Sequence, residues 1–255
     1  ELISYRLGFH AEYTTKREIL EGISELAQKY KTPVFTHSSE TKSEVEGCIE
    51  RYGKTPTELF EEIGLWNWGG GGYHSVWLSD NDLQIYKKRG LWAIINAGSN
   101  SKLASGICDV QKMSNMGINL AVGTDGPSSN NALDMFREMY LISVLQKLKY
   151  NDAAAMDANE ILKAATSGSA KCMGLTDCDC IAEGKLADLM IIDLERPNMQ
   201  PINNITKNLV YSGSKDDVKM TMINGKILYE NGEFVNIDKE EIYAKAQEIC
   251  NRLKN

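Results

Sequence analysis

Residues 32–53 read TPVFTHSSETKSEVEGCIERYG. The apolar run Val34-Phe35-Thr36 is too short for a helix and has the β-branched and aromatic character of a buried strand. It ends at His37. Thr41 then stands before a polar helix start as an N-cap, and KSEVEGCIERYG continues as helix. The stretch is one strand–turn–helix unit with a histidine at the strand exit and Glu40 three residues on. If the chain turns there, the imidazole and the carboxylate face one cavity, the first suited to a metal and the second to proton transfer. On these residues alone, an N-capping loop with Glu40 in the first helical turn accounts for the stretch equally well.

The same unit recurs on both sides. ISYRLGF (3–9) leads through His10 into KREILEGISELAQKYK (16–31), where Ile19, Ile23, Leu26 and Ala27 share a helical face. A short helix, PTELFEEIGL, precedes GYHSVWL, which carries His74 and leads into DNDLQIYKKRG. WAIINAGSN precedes KMSNMG, and NLAVGTDG, with Asp125, precedes ALDMFREMYLISVLQKLKY. Alternating strands and helices of this kind build a parallel sheet. Chemically able residues lie at each strand exit: His10, His37 with Glu40, His74, Asn96 with Asn100, and Asp125. In a (β/α) barrel those ends converge on the active-site face.

The chain has only three histidines. Three at strand exits, with Asp125 at a fourth, point to one metal or acid–base site assembled from distant segments. In GTDG the glycines permit a tight turn and leave the carboxylate unshielded, although Asp is also common in turns for structural reasons. Five units are three short of a full barrel. With Glu1 in place of a methionine and strand character from residue 3, three further units are expected upstream of these 255 residues. Beyond the helices of 152–180, GKLADLMIIDL and the Asn224-Gly225 and Asn231-Gly232 turn signals indicate hairpins. The expected organisation is a barrel portion over 1–180, a small β domain over 181–235 and a closing helix over 236–255.

Other motifs carry less. GGGG at 69–72 lacks phosphate-loop spacing and reads as a flexible lead-in to the His74 strand. CDC at 178–180 has no partner pair at zinc-finger spacing. His10-Ala11-Glu12 matches H-x-E, but no P-C-x-x-C follows, which excludes the deaminase fold built on that pair. Trp66 and Trp68 either pack in the core or border a pocket. A net charge of −7 disfavours a nucleic-acid surface. No apolar run approaches bilayer length. The six scattered cysteines suit reduced thiols in a cytoplasmic protein.

GFHAEYT, THSSETKSEVEGC, GGGGYHSVWLS, SNSKLASG and GTDGPSSNNALDMFREM, in that order, resemble the amidohydrolase superfamily. The likeness is to the branch of 5-methylthioadenosine/S-adenosylhomocysteine deaminases and related chlorohydrolases, and it continues into EGKLADLMIIDL and INGKILYENG. The resemblance implies an α/β fold: a TIM-like (β/α)8 barrel, of which strands 4 to 8 are present, with the C-terminal part of a small β-sandwich composite domain. It implies a divalent metal, zinc foremost, with iron, manganese or nickel as alternatives. His37 and Asp125 match metal ligands at the ends of barrel strands 5 and 8. Glu40 matches the acid/base acting on the ring nitrogen, His74 the residue that orients the water, and His10 a purine contact.

The strand-1 H-x-H pair of the family has no histidine left to supply it here. The implied reaction is hydrolytic deamination of S-adenosylhomocysteine, 5-methylthioadenosine or adenosine to the inosine-type product and ammonia. Water attacks C6, Asp125 takes its proton and Glu40 protonates N1. Alternatives are hydrolysis of another amino- or halo-substituted ring, or a catalytically incomplete fragment. Expected partners are the purine nucleoside, the upstream segment and a second copy of the chain, with no nucleic acid or membrane.

Overall fold

Five strands lie side by side in chain order in one parallel sheet, in a computed structural model that describes residues 3–254. They are β1 (Leu7–Gly8), β2 (Val34–Ser38), β3 (Gly70–His74), β4 (Trp92–Ile95) and β5 (Asn119–Val122). Phe35 pairs with Gly71, Gly71 with Trp92, and Ile94 with Ala121. Parallel neighbours need long crossovers, and helices supply them at Arg17–Tyr30, Lys42–Tyr52, Pro56–Glu62, Asp80–Arg89 and Val110–Met116, while a further helix, Met135–Tyr150, follows β5. Three of these helices begin with reciprocal capping boxes: Thr41 with Glu44, Thr55 with Glu58, and Ser79 with Asp82.

Strand alternation divides the apolar residues between the two faces. Val34, Ala93, Ile95 and Val122 join the main core with Leu20, Phe60, Trp66, Tyr86 and Ile142 from the helices and turns. Phe35, Ile94 and Ala121 gather on the other face with Tyr73, Trp92 and Cys172, beside a cavity of about 470 Å³. Trp66 is therefore a core residue, whereas Trp68 is exposed.

Two local expectations are corrected. Helix Arg17–Tyr30 buries Leu20, Ser24 and Ala27 and leaves Ile19 and Leu26 exposed. The buried stripe is phased by the 63–68 turn it docks on, where Ser24 Oγ donates to Ile63 O at 2.6 Å and Gln28 Nε2 to Gly64 O at 2.8 Å. The glycine run is part of β3 itself, not a lead-in. A Cβ at Gly70, Gly71 or Gly72 would strike the Val34 carbonyl, the Trp92 carbonyl and the Tyr86 hydroxyl respectively, so close backbone approach is what the glycines permit.

A separate antiparallel sheet runs β6 (Leu189–Ile192), β7 (Val218–Ile223), β8 (Lys226–Glu230), β9 (Glu233–Phe234). Both Asn-Gly pairs adopt left-handed φ, 48° and 75° at Asn224-Gly225 and 48° and 93° at Asn231-Gly232, as primed hairpin turns require. The final helix, Lys239–Leu253, buries none of its side chains. All six cysteines are free, and no described helix is long and apolar enough to cross a membrane.

Candidate functional site

Each residue singled out in the sequence sits at or beyond the C-terminal end of a parallel strand. His37 is the fourth residue of β2 and His74 the last of β3, while Asp125 follows β5 by three residues. One ligand atom from each of His37, His74 and Asp125 lies within 4.8 Å of the others, the single such group among the described residues. The His37 and His74 rings stack at 5.3 Å between centroids.

Hydrogen bonds on the far nitrogens decide which face of each ring is available. His37 Nδ1 lies 2.6 Å from the His10 carbonyl, which can only accept, so this nitrogen carries the proton. His74 Nδ1 meets Asn100 Oδ1 at 2.7 Å in the same way. Both Nε2 atoms are left with free lone pairs, the arrangement that orients metal-ligating imidazoles. Two such nitrogens and a carboxylate, with a coordination position left for water, are a donor set that a zinc-type divalent ion takes. The residues present fit such a metal.

Glu40 stands over this group. Its Oε2 is 3.7 Å from His74 Nε2, and its Oε1 accepts from Ser105 Oγ at 2.9 Å. The capping and functional readings of this loop hold together: Thr41 caps the helix, and Glu44 turns back to accept from the N–H groups of Ser39 at 2.9 Å and Glu40 at 2.7 Å. Glu44 was missed in the sequence, although the T-x-x-E spacing marks it. Ser105 left no such signal. It is pinned by Trp77 Nε1, which donates to its carbonyl at 2.7 Å.

Backbone strain collects here. Ser39, His74, Ser75 and Asp125 adopt left-handed φ of 54°, 71°, 51° and 59°, conformations that ordinary residues keep only where the surroundings enforce them. In GTDG the aspartate itself takes the left-handed position, while Gly126 is extended at φ −76°. The carboxylate is not unshielded: it is half-buried and accepts from Ser99 Oγ at 2.7 Å and Ser129 Oγ at 2.5 Å. Burial pushes the Asp125 carboxyl up, but the Ser129 and Ser99 hydroxyls, the Gly126 N–H and nearby His74 outweigh it and hold it below the usual aspartate value.

His10 departs from the expected pattern. β1 is two residues long and its residues are not buried, and the His10 side chain is exposed. Its ring still reaches the edge of the group, 4.8 Å from His37 and 5.9 Å from Tyr13, with Nδ1 2.8 Å from Thr14 Oγ1. Asn96 is buried at the start of the 97–102 helix, and it is Asn100 that reaches His74.

Known proteins share this architecture. The amidohydrolase family profile matches residues 1–228. A 5-methylthioadenosine/S-adenosylhomocysteine deaminase of Pyrococcus furiosus is 42% identical over 244 residues, 96% of this chain and 58% of that protein. A 5'-deoxyadenosine deaminase of Methanopyrus kandleri is 37% identical over 252 residues, 99% of this chain and 58% of that protein. The crystal structure of an adenosine deaminase from Xanthomonas campestris with bound zinc superposes with a TM-score of 0.94 at 33% identity, covering 99% of this chain and 58% of that one. The chain thus spans somewhat over half the length of these relatives. With its parallel sheet, strand-end histidines and aspartate, and the profile match over most of its length, the chain belongs to the amidohydrolase family.

Proposed function

We propose that this chain is the metal- and proton-handling portion of a hydrolytic deaminase that acts on an adenine-containing nucleoside: S-adenosylhomocysteine, 5-methylthioadenosine or adenosine. The observation that carries the reading is the convergence of His37, His74 and Asp125 within 4.8 Å, with Glu40 3.7 Å from His74. The names of the three relatives reported above, adenosine-type deaminases, support the substrate class.

His37 and Asp125 would hold the metal, zinc foremost, with a ring nitrogen of His74 within 4.8 Å of both. When bound, the metal supplies a water of lowered pKa as nucleophile. Asp125, kept ionised by two serine hydroxyls, takes the proton of the attacking water. His74 orients that water. Glu40, its carboxyl aimed by Ser105, delivers a proton to N1 of the ring, breaking the aromaticity that resists attack at C6. The proton taken by Asp125 passes to the 6-amino group, the C6–N bond breaks, ammonia leaves, and the remaining O–H proton restores Glu40. His10, outermost, meets the purine. In this reading residues 1–180 form the barrel portion, 181–235 the β domain and 236–255 the terminal helix.

Metal analysis together with parallel assays on adenosine, 5-methylthioadenosine, S-adenosylhomocysteine, guanine and a chlorotriazine tests the proposal. Faster turnover of guanine or the triazine would overturn the substrate class. Glu40→Gln should lower turnover by about 10² or more. A second reading, a catalytically incomplete fragment, is favoured by the histidine count: with all three assigned, none is left for the strand-1 H-x-H pair. Stoichiometric zinc in the isolated chain would count against it, whereas absent metal in a self-associating particle, with no turnover of any of these compounds, would favour it.

A further inference from the structure

We infer that Glu138 is a positioning residue for the metal site, a single buried carboxylate that locks together the two loops holding Asp125 and His74. The inference rests on the proposed metal site and adds a residue to which neither sequence motif nor chemistry assigned a role.

Glu138 lies in helix Met135–Tyr150 and is fully buried. One oxygen, Oε2, accepts from the Gly98 N–H at 2.8 Å; the other, Oε1, accepts from Asn130 Nδ2 at 2.7 Å. Gly98 belongs to the short helix Ala97–Lys102, whose next two residues serve the site directly. Ser99 donates to Asp125, and Asn100 accepts from His74 Nδ1. Asn130 closes the turn Pro127–Asn130, in which Ser129 donates to the same Asp125 oxygen. Asn130 Nδ2 also donates to the Thr124 carbonyl at 2.7 Å, next to Asp125 in the chain.

Both arms of the Asp125 grip, and the tautomer of His74, therefore run back to one carboxylate. The contact is close: a Cβ on Gly98 would strike Glu138 Oε1 and lie 2.8 Å from Asn130 Nδ2, so a larger residue there would displace both side chains. An isolated carboxylate is costly to bury, and one that accepts a donor on each oxygen is stabilised mainly in that geometry. Asp125 is held at left-handed φ, so loss of the lock lets its loop relax to commoner backbone angles and moves the carboxylate off the metal position.

The test uses the full chain and measures Zn²⁺ affinity by chelator competition and the visible absorption of the Co²⁺-loaded protein. Glu138→Gln keeps the shape but turns an N–H donor toward Gly98 or Asn130. It should weaken Zn²⁺ binding about 10- to 100-fold, the range for outer partners of metal ligands, and alter the Co²⁺ spectrum. Leu20→Ala, buried in helix Arg17–Tyr30, whose cross-element hydrogen bonds run to residues 62–68 and to neither loop, should lower thermal stability with affinity and spectrum unchanged. If Glu138→Gln fails to fold, Asn130→Ala, which cuts only the Asp125 arm, carries the same comparison. Wild-type affinity and spectrum in the Glu138 variant, or equal losses in the Leu20 variant, would overturn the inference alone. Zn²⁺ affinity equal in wild type and His37→Ala would overturn the metal site itself and the inference with it.

Discussion

Replacing Glu44 by glutamine tests whether the loop that carries Glu40 is held by local capping chemistry. The carboxylate is 6% exposed and accepts from Ser39 N–H at 2.9 Å through Oε1, and from Glu40 N–H at 2.7 Å and more weakly Thr41 N–H at 3.4 Å through Oε2. Glutamine preserves the volume and one acceptor but turns an NH₂ toward backbone donors on the other side. One charge-assisted hydrogen bond is lost, worth about 1.5–3 kcal/mol, and a donor is left facing a donor. Removing a desolvated charge offsets part of that, so about 2 kcal/mol of net destabilisation is expected. In a chain of 255 residues each kcal/mol moves Tm by roughly 2–4 °C, which gives a fall of about 4–8 °C.

The assay is thermal unfolding by circular dichroism, with amide exchange followed at Ser39 and Glu40. Thr41→Ala, the other half of the box, should cost about 1 kcal/mol. The double variant should cost less than the sum, because each side chain accepts from the other's backbone N–H and both brace the same helix start. A Tm within about 1 °C of wild type, with the Glu40 amide as protected as before, would refute the reasoning. The left-handed Ser39 and the aim of Glu40 would then be set by the packing of β2 and β3, not by Glu44.

Gly71→Ala should cost at least about 3 kcal/mol, above the middle of the range for overpacked sites, because its Cβ meets the Trp92 backbone and not a side chain free to move; a melting curve like the wild type's would show that β3 and β4 can separate. Asp125→Asn should weaken Zn²⁺ binding by more than the roughly 10- to 100-fold typical of an outer partner, and unchanged affinity by chelator competition would remove it from the ligand set. Burial pushes the Glu61 carboxyl up, but Arg89, bonded to both its oxygens, outweighs it and holds it below its ordinary value of 4.5. A depressed carboxylate stabilises the fold above its unfolded value and loses that contribution as pH falls through the folded one. The Tm gap between wild type and Glu61→Gln should therefore be full near neutrality and shrink below pH 4.5, and a gap that widens in acid would reverse the assignment.

The division between what the sequence revealed about the site and what it hid has a physical cause. His37, His74 and Asp125 were legible because each requirement is local: an apolar run, its end, and a residue type with few other reasons to stand there. Both Asn-Gly hairpins were legible for the same reason, since a primed turn needs left-handed φ at two adjacent positions. The side chains that aim these groups are Ser99, Ser105, Asn100, Asn130 and Glu138, residue types found on any surface. Their partners lie far along the chain: 26 residues from Ser99 to Asp125, 40 from Gly98 to Glu138 and 65 from Glu40 to Ser105. No periodicity or spacing encodes such pairs; only the crossovers that stack one strand end beside the next create them.

The same limit explains the misphased helix 17–30. Its apolar residues allow two overlapping stripes, and the choice belongs to the Ile63 and Gly64 carbonyls it meets 36 to 39 residues later. It also explains the glycine run, whose reason is the carbonyl of a neighbouring strand and not its own flexibility. Groups that do chemistry must be of particular types and so show themselves singly. Groups that hold them in place need only a donor or acceptor at one point in space, and many residue types can provide that. Variants at His37, His74 and Asp125 consequently ask which chemistry the site performs, whereas variants at Ser105, Asn130 and Glu138 ask whether these strands, in this order, assemble it.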